Sequence, residues 1–244
     1  METLLLIILL AGKFYLIYII WLNTRLEKVQ EKDLAQHKLQ ALQLSAYTSL
    51  LARYFIKNMI SNVRNEIGVN YEGINSSKYF SSVFKLVNQT LSICGSNLIS
   101  LKDEINYVEH YIGIEKYRLQ NNLDVSIKVD HSLNPSKTYL PGMLLQPFVE
   151  YAIIQMNTSR WKNSISFEFV KELKGLLIKI NYSYDFKLRK NINGVDLNLS
   201  VKSKGISLVE ERIKLYEVTD RLRISYWSDS SDSNSAILLK ISEK

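Results

Sequence analysis

The apolar positions fall into three regimes along the chain. Residues 4–22 are almost continuously apolar, interrupted by Gly12 and Lys13. A helix of about 19 residues at ~1.5 Å each reaches roughly 28 Å, close to the hydrocarbon thickness of a bilayer. The run therefore predicts a single membrane-spanning anchor. Lys13 costs roughly 2.5–3.5 kcal/mol in that setting, offset by its Leu, Ile, Phe, Tyr and Trp neighbours and by snorkelling of its stem. A cleaved signal peptide fits less well, because Glu2 is the only early charge and bulky residues follow Lys13. Arg25, Lys28 and Lys32 come next, which by the positive-inside bias places the remainder in the cytoplasm and favours an anionic leaflet.

The second regime has helical period. From residue 23 to about residue 66 there is neither proline nor glycine. Leu22, Leu26 and Val29, then Leu39, Leu42, Ala46 and Leu50, recur at steps of three and four, with a polar break between them. This predicts one long helix with a seam for a partner helix, but no long regular coiled coil. Gly68 and the turn Tyr71, Glu72, Gly73 end it. Tyr79, Phe80, Val83, Phe84 and Val87 mark a second helix, and the stretch 92–100 with Gly95 a break. A third helix runs over 101–118 with Leu101, Ile105, Val108, Ile112 and Ile114 inward. Asp103 and Glu104 suit its first turn, and Lys116 and Arg118 its last, as the helix dipole prefers.

The third regime mixes periods two and 3.6. Residues 125–129 alternate as a strand, and Leu140-Pro141 opens a helix from about Met143 to Met156. Residues 165–170 and 176–182 form a hairpin around Lys174-Gly175. A polar connection over 186–204 leads to a helix over 207–216, and strands at 223–227 and 236–241 follow, separated by a Ser/Asp/Asn turn. Hairpins alternating with helices predict a mixed sheet with helices on one face, and neither a Rossmann wind nor a barrel gives that order.

Composition narrows the chemistry. The chain has 244 residues with 46% hydrophobic and 23% charged side chains, a globular balance rather than a disordered one. One cysteine, Cys94, excludes a disulfide framework and a cysteine-built zinc site. Three histidines, His37, His110 and His131, leave little room for histidine-rich metal chemistry. Nine glycines disfavour Gly-rich phosphate loops. A net charge of +7 and pI near 9.2 are compatible with anionic partners, but the lysines are scattered and read as a solvated surface.

Three segments resemble a known family. Leu101 to Arg118 resembles the Leu-x-x-Glu-Leu-x-x-x-x-x-Tyr-x-x-Ile-x-x-x-Arg stretch of the internal-region, lytic-regulator type of sensor histidine kinase. Leu140-Pro-Gly-Met-Leu-Leu-Gln-Pro-Phe-Val-Glu-Tyr-Ala resembles that family's Pro-x-x-Leu-Leu-Gln-Pro-Leu-Val-Glu-Asn-Ala box. Gly205-Ile-Ser-Leu-Val-Glu-Glu-Arg-Ile-Lys-Leu resembles its Gly-Ile-Gly-Leu-x-Asn-x-x-x-Arg-Leu segment. The resemblance covers roughly 45–244. It implies a helical dimerisation and phosphotransfer region followed by a two-layer α/β sandwich of the GHKL ATPase type. Together with the apolar run this predicts an α+β chain: an N-terminal transmembrane helix (1–22), a helical stalk and dimerisation or phosphotransfer-like region (23–122), and the sandwich (123–244).

The departures fall on the chemistry. The family's phosphoacceptor lies in Asn-Pro-His-Phe-Leu-Phe-Asn, and the aligned run here is Ala52-Arg-Tyr-Phe-Ile-Lys-Asn58, with Tyr54 at the histidine. A phenol with pKa near 10 is a poor nucleophile at neutral pH. The Mg²⁺-coordinating asparagine of the family is Tyr151, whereas the neighbouring Glu150 is kept. The family's Asp-x-Gly-x-Gly box, which reads adenine, is replaced by Asn181-Tyr182-Ser-Tyr-Asp185-Phe186, without glycine. Gly194 and Gly205 remain in the lid, and Ser207 takes the place of a glycine. Tyr182, Tyr184 and Phe186 are candidates to fill the former nucleotide cavity.

These readings predict a membrane-anchored sensor-kinase-like protein without autokinase activity, in the cytoplasmic membrane with its C-terminal domain inside. It would dimerise with itself or a related kinase, and Arg53 and Lys57 flanking Tyr54 could meet an acidic response regulator. No nucleic acid, metal or cofactor is expected, with ATP and Mg²⁺ bound only if the degenerate site works. A working kinase with an atypical acceptor, His110 or Tyr54, is one alternative, and a tethered binder of anionic polymer another. His110, His37 and Arg212 are otherwise read as helix-surface side chains.

Overall fold

The computed structural model describes residues 2–69, 76–94, 96, 98–119, 122–156, 163–183, 204–219, 222–230 and 234–243. Helix α1 (Glu2–Val69) is followed by α2 (Ser76–Cys94), β1 (Leu98–Ser100), α3 (Leu101–Arg118), β2 (Leu123–Val129), β3 (Tyr139–Pro141) and α4 (Gln146–Met156). The hairpin β4 (Asn163–Glu172) and β5 (Gly175–Ser183), helix α5 (Lys204–Thr219), and strands β6 (Leu222–Ser230) and β7 (Asn234–Glu243) complete the chain. The expected turn at 70–75, the connection over 184–203 and the tip at 231–233 lie outside the described residues.

The chain divides into two compact units, Met1–Gln43 and Leu44–Lys244. The first is helical and leaves Phe14, Leu16, Ile17, Ile20 and Trp21 more than half exposed. Tyr18 stacks on Trp21 with ring centroids 6.3 Å apart, and Arg25 lies over the Trp21 ring at 5.0 Å. Among the described residues no helix is long and apolar enough to cross a membrane.

In the second unit, Leu44, Thr48, Leu51, Ala52, Phe55 and Met59 form the buried face of α1. Its counterpart on α2 is Tyr79, Val83, Leu86, Thr90 and Ile93, at alternating steps of four and three. The sequence places a break from residue 92, but the helix runs on to Cys94 because Ile93 belongs to this buried face. Helix α3 begins and ends where its pattern predicts. Ser100 caps it, its hydroxyl accepting the Asp103 N–H at 3.1 Å. It buries more than one face, since Tyr107, Tyr111, Glu104 and Glu115 join the aliphatic residues inside.

The main sheet has the order β2-β4-β5-β7-β6, with β2 parallel to β4 and the other pairs antiparallel, as the mixed pattern predicts. Alternation sends Ile165, Phe167, Phe169, Ile178, Ile180, Tyr182, Ile237, Leu239 and Ile241 to one face, which α4 and α5 cover. The opposite face carries Ser164, Ser166, Glu168, Lys179 and Lys240. A small second sheet pairs β1 with β3.

Gly175 opens β5 at the hairpin. A Cβ there would stand 2.0 Å from the Ile241 carbonyl oxygen and 2.9 Å from Ser242 Cα, both backbone atoms. Neither can swing away as a side chain would. Gly175→Ala is expected to cost about 2–3 kcal/mol by forcing β5 and β7 apart, measured as a lower midpoint in urea unfolding.

A second expected boundary also moves. The helix predicted from Met143 begins at Gln146 instead. Met143 has φ 58°, a left-handed conformation that costs a non-glycine residue roughly 1–2 kcal/mol and cannot continue a helix. Residues 142–145 form a bend whose amides are held from outside.

Candidate functional site

Three helices of the second unit meet around Tyr54. The half-buried α1 ring is closest to α5 at Gly205, where an added Cβ would stand 3.1 Å from Tyr54 Cε1, 3.4 Å from Pro147 Cβ and 3.7 Å from Glu150 Oε2. The absence of a side chain at 205 lets α1, α4 and α5 approach this closely. Asn58, one turn after Tyr54, donates its amide to Glu150 Oε1 at 2.9 Å. The Tyr54 hydroxyl has the Asn58 side chain and the Gly205 backbone as hydrogen-bonding neighbours.

The electrostatics oppose nucleophilic chemistry. Burial, and then the Glu150 carboxylate, push the Tyr54 phenol above its ordinary value. It is therefore neutral at physiological pH. Burial also raises Glu150, with Asn58 acting against the rise and Glu115 adding to it. The acid is thus held by an amide rather than aimed at a reacting group.

The remaining sequence candidates divide. Tyr54, Glu150 and Gly205 come together, and Ser207 lies half-buried in the first turn of α5. Tyr151 packs against the core cluster. Parity along β5 separates the next pair. Tyr182 faces the helices and is 7% exposed, whereas Asn181 faces the other way and donates to Ser166 Oγ at 3.3 Å. Asn181 lines an open depression of about 410 Å³ with Ser164, Ser166, Ser183 and Asp229. Tyr184, Asp185, Phe186 and Gly194 lie outside the described residues.

His110 is half-buried on α3, its Nδ1 2.8 Å from Gln89 Oε1 and its Nε2 3.3 Å from Lys85 Nζ. Burial and the Lys85 charge lower its pKa. Its ring is tied to α2. His37 is exposed in the first unit. Arg212 overturns its reading as a surface arginine: it is 2% exposed, and its Nη2 donates to the Gly142 carbonyl at 2.7 Å. Its stem is long enough to cross from α5 to the bend before α4. Glu104 lies in the first turn of α3 as expected, but its carboxylate reaches out of that helix. It is fully buried and accepts the Met143 and Leu145 N–H groups at 2.9 and 2.8 Å. Asn58 was not singled out as a site residue, although it matches the last asparagine of the aligned run and stands four residues after Tyr54 on the same helix.

Comparison with known proteins locates the chain. Residues 42–123 match the family model described as histidine kinase. The sensor histidine kinase BtsS of Escherichia coli strain K12 is 33% identical over 100 residues, 41% of this chain and 17% of the relative. The sensor histidine kinase YpdA of the same strain is 24% identical over 133 residues, 54% of this chain and 22% of the relative. The chain thus matches well under half the length of either relative. Among solved structures, the histidine kinase domain of the blue-light activated histidine kinase from Erythrobacter litoralis EL346 has a TM-score of 0.46 at 10% identity. That match covers 82% of this chain and 94% of the other.

Proposed function

This chain belongs to the sensor histidine kinase family, and we propose that it is a member without phosphoryl transfer, a membrane-anchored pseudokinase that signals by pairing with a second copy or with a related, active kinase. The observation that carries this reading is Tyr54. At the position of the family's phosphoacceptor stands a neutral phenol, packed on Glu150, Asn58 and Gly205.

The nucleotide side agrees. Phosphoryl transfer depends on positioning and on Mg²⁺-assisted charge stabilisation. Hard cations take oxygen ligands, chiefly carboxylates and carbonyls, and Tyr151 offers an aromatic ring packed on the core at the family's asparagine. The buried Tyr182 ring faces the helices near the end of β5, where the family's adenine-reading box would begin. Among the described residues the side chains at these positions do not fit Mg-ATP. The strand order and the helices on one face of the sheet support a GHKL-type sandwich.

Pairing is supported by the outward faces of α1 and α2. Ser49, Arg53, Ile56, Ile60 and Val63 on α1 recur at steps of four and three, and so do Phe80, Phe84, Val87, Leu91 and Cys94 on α2. Phe84 is 69%, Leu91 58% and Ile60 56% exposed. Between the helices runs a mainly apolar groove of about 540 Å³, with Ile56, Ile60, Leu91 and Cys94 in its walls and Arg53 and Lys57 beside them. Two parallel heptad seams on one hairpin are what a four-helix pairing requires. The two cations are the candidate contact for an acidic response regulator. Anchoring rests on the apolar run 4–22 and on the Tyr18, Trp21 and Arg25 cluster, an arrangement suited to a membrane interface.

The test is calorimetric titration of the full chain with Mg-ATP, together with labelled ATP. No binding heat and no label on Tyr54 or His110 are expected. Micromolar binding with label on either residue would instead establish the working-kinase reading.

A further inference from the structure

The main sheet ends on β6, whose outer edge has no strand beside it among the described residues. The strand has nine residues and pairs with β7 from Leu222 to Ser230 without a bulge. It holds neither proline nor lysine, the usual guards of an exposed edge. Its outer backbone donors and acceptors thus form a template for another strand. At the other edge, β2 has seven residues, and its Asp124 already interacts within the chain.

Parity sorts the side chains of β6. Ile224 and Tyr226 turn toward the helices: Ile224 is buried, and Tyr226 packs on the core and donates its hydroxyl to Glu210 of α5. Arg223, Ser225, Trp227 and Asp229 stand exposed on the other face. Among the described residues neither Arg223 nor Asp229 makes an ion pair within its own chain.

This pattern selects a partner. When a second copy adds its own β6 about a two-fold axis normal to the sheet, the same face points up in both copies, so opposed residues share parity. Of the registers that satisfy this, the one centred on Tyr226 opposes Arg223 to Asp229 of the second copy, and Asp229 to its Arg223. Tyr226 is also the midpoint of Leu222–Ser230, so the same register overlaps the strands over their whole length. Moving the centre to Ser225 or Trp227 shortens the overlap and leaves both ion pairs unmade. In the matched register Trp227 lies opposite Ser225 of the second copy, and the two Trp227 rings meet on the diagonal, within reach of aromatic side chains. The two charges repel an arbitrary strand yet complement each other in a copy of the same chain.

We propose that β6 is a self-association surface of its own, on which two copies pair β6 to β6, antiparallel and centred on Tyr226, joining their sheets into one. The edge pairing stands without the seam on α1 and α2. Together with that seam it gives each copy two different contacts, so that pairs join into larger assemblies; this consequence alone rests on the pairing proposed above.

Sedimentation equilibrium of the full chain in density-matched detergent tests the edge, with Ile60→Glu and Phe84→Glu present throughout to silence the seam. The edge buries little area, so a Kd of about 0.1–1 mM is expected. Arg223→Asp sets like charges against each other at both ends of the pair, and so does Asp229→Arg. Each is expected to weaken pairing by about tenfold or more. An equimolar mixture of these two variants is expected to pair at the original strength, because each strand with two arginines then meets one with two aspartates. The chain carrying both substitutions regains self-pairing for the same reason. Both positions are exposed, so unfolding midpoints are expected to stay unchanged, and a misfolded variant could not give the recovery in the mixture. No pairing up to about 1 mM, pairing indifferent to the single changes, or no recovery in the mixture would overturn the proposal. So would a chain that stays monomeric while binding an unrelated extended peptide, which would give the edge to a different partner.

Discussion

Arg212→Ala is expected to destabilise the chain by about 3–5 kcal/mol at pH 8, the range for removing one partner of a buried charge pair. Three losses coincide. The Gly142 carbonyl loses the guanidinium that donates to it at 2.7 Å. Glu104 loses the cation that opposes its protonation, while remaining fully buried. A side chain 2% exposed leaves a cavity where its stem lay, with the Tyr216 ring 5.7 Å from the guanidinium carbon. The cost depends on pH in a defined sense. Because Glu104 titrates near 7 in the fold and at 4.5 when hydrated, native Glu104 is mostly protonated at pH 6 and needs its cation less. The penalty at pH 6 is therefore smaller than at pH 8. The same linkage makes wild-type stability fall by on the order of 3 kcal/mol as pH rises from about 4.5 to 7, from this group alone. Urea unfolding at the two pH values checks both. A penalty below 1 kcal/mol at each would return Arg212 to the surface role that its sequence position suggests.

That mistaken position shows where sequence legibility stops. Helix α3 could be bounded at both ends because local signals agree: Ser100 caps it, Asp103 follows in the first turn, and its apolar residues recur with helical period. The hairpin of β4 and β5 was legible from alternation and from the Lys174-Gly175 turn, and the same parity decides that Tyr182 turns inward while Asn181 turns out. The start of α4 was not legible. Met143 is left-handed because Glu104, 39 residues earlier, accepts its N–H, and no local propensity records a bond of that span. Glu104 itself looked satisfied as an acid in a first helical turn, and Arg212 as a cation on a helix surface, because each residue type fits the exposed role well. The strands β1 and β3 have three residues each and carry no period to detect. In the site, the motif pointed to Tyr54 and Glu150, but their junction depends on Asn58 and on the bare backbone at Gly205.

The seam on α1 and α2 gives the other large effect. Ile60→Glu combined with Phe84→Glu is expected to weaken self-association of the full chain by more than about 10⁴-fold in Kd. Both side chains are exposed in the single chain, at 56% and 69%, so the change leaves the inward faces of α1 and α2 untouched. Monomer helicity and unfolding midpoint are expected to stay near wild type, since surface substitutions of this kind shift stability by about 0.5 kcal/mol or less. In a two-fold pair each substitution counts twice. Losing four buried apolar side chains at ~1.5–3 kcal/mol each removes about 6 kcal/mol or more before the unpaired carboxylates add their desolvation cost. Glu109→Gln, an exposed change on α3 rather than on α1 or α2, serves as the control and should leave association unchanged. Sedimentation equilibrium in density-matched detergent reads the effect. A wild-type monomer, or a dimer indifferent to both glutamates, would remove the pairing surface on which the signalling role depends. The same measurement with a related active kinase added separates self-pairing from mixed pairing, because one seam serves both and only their relative strength differs.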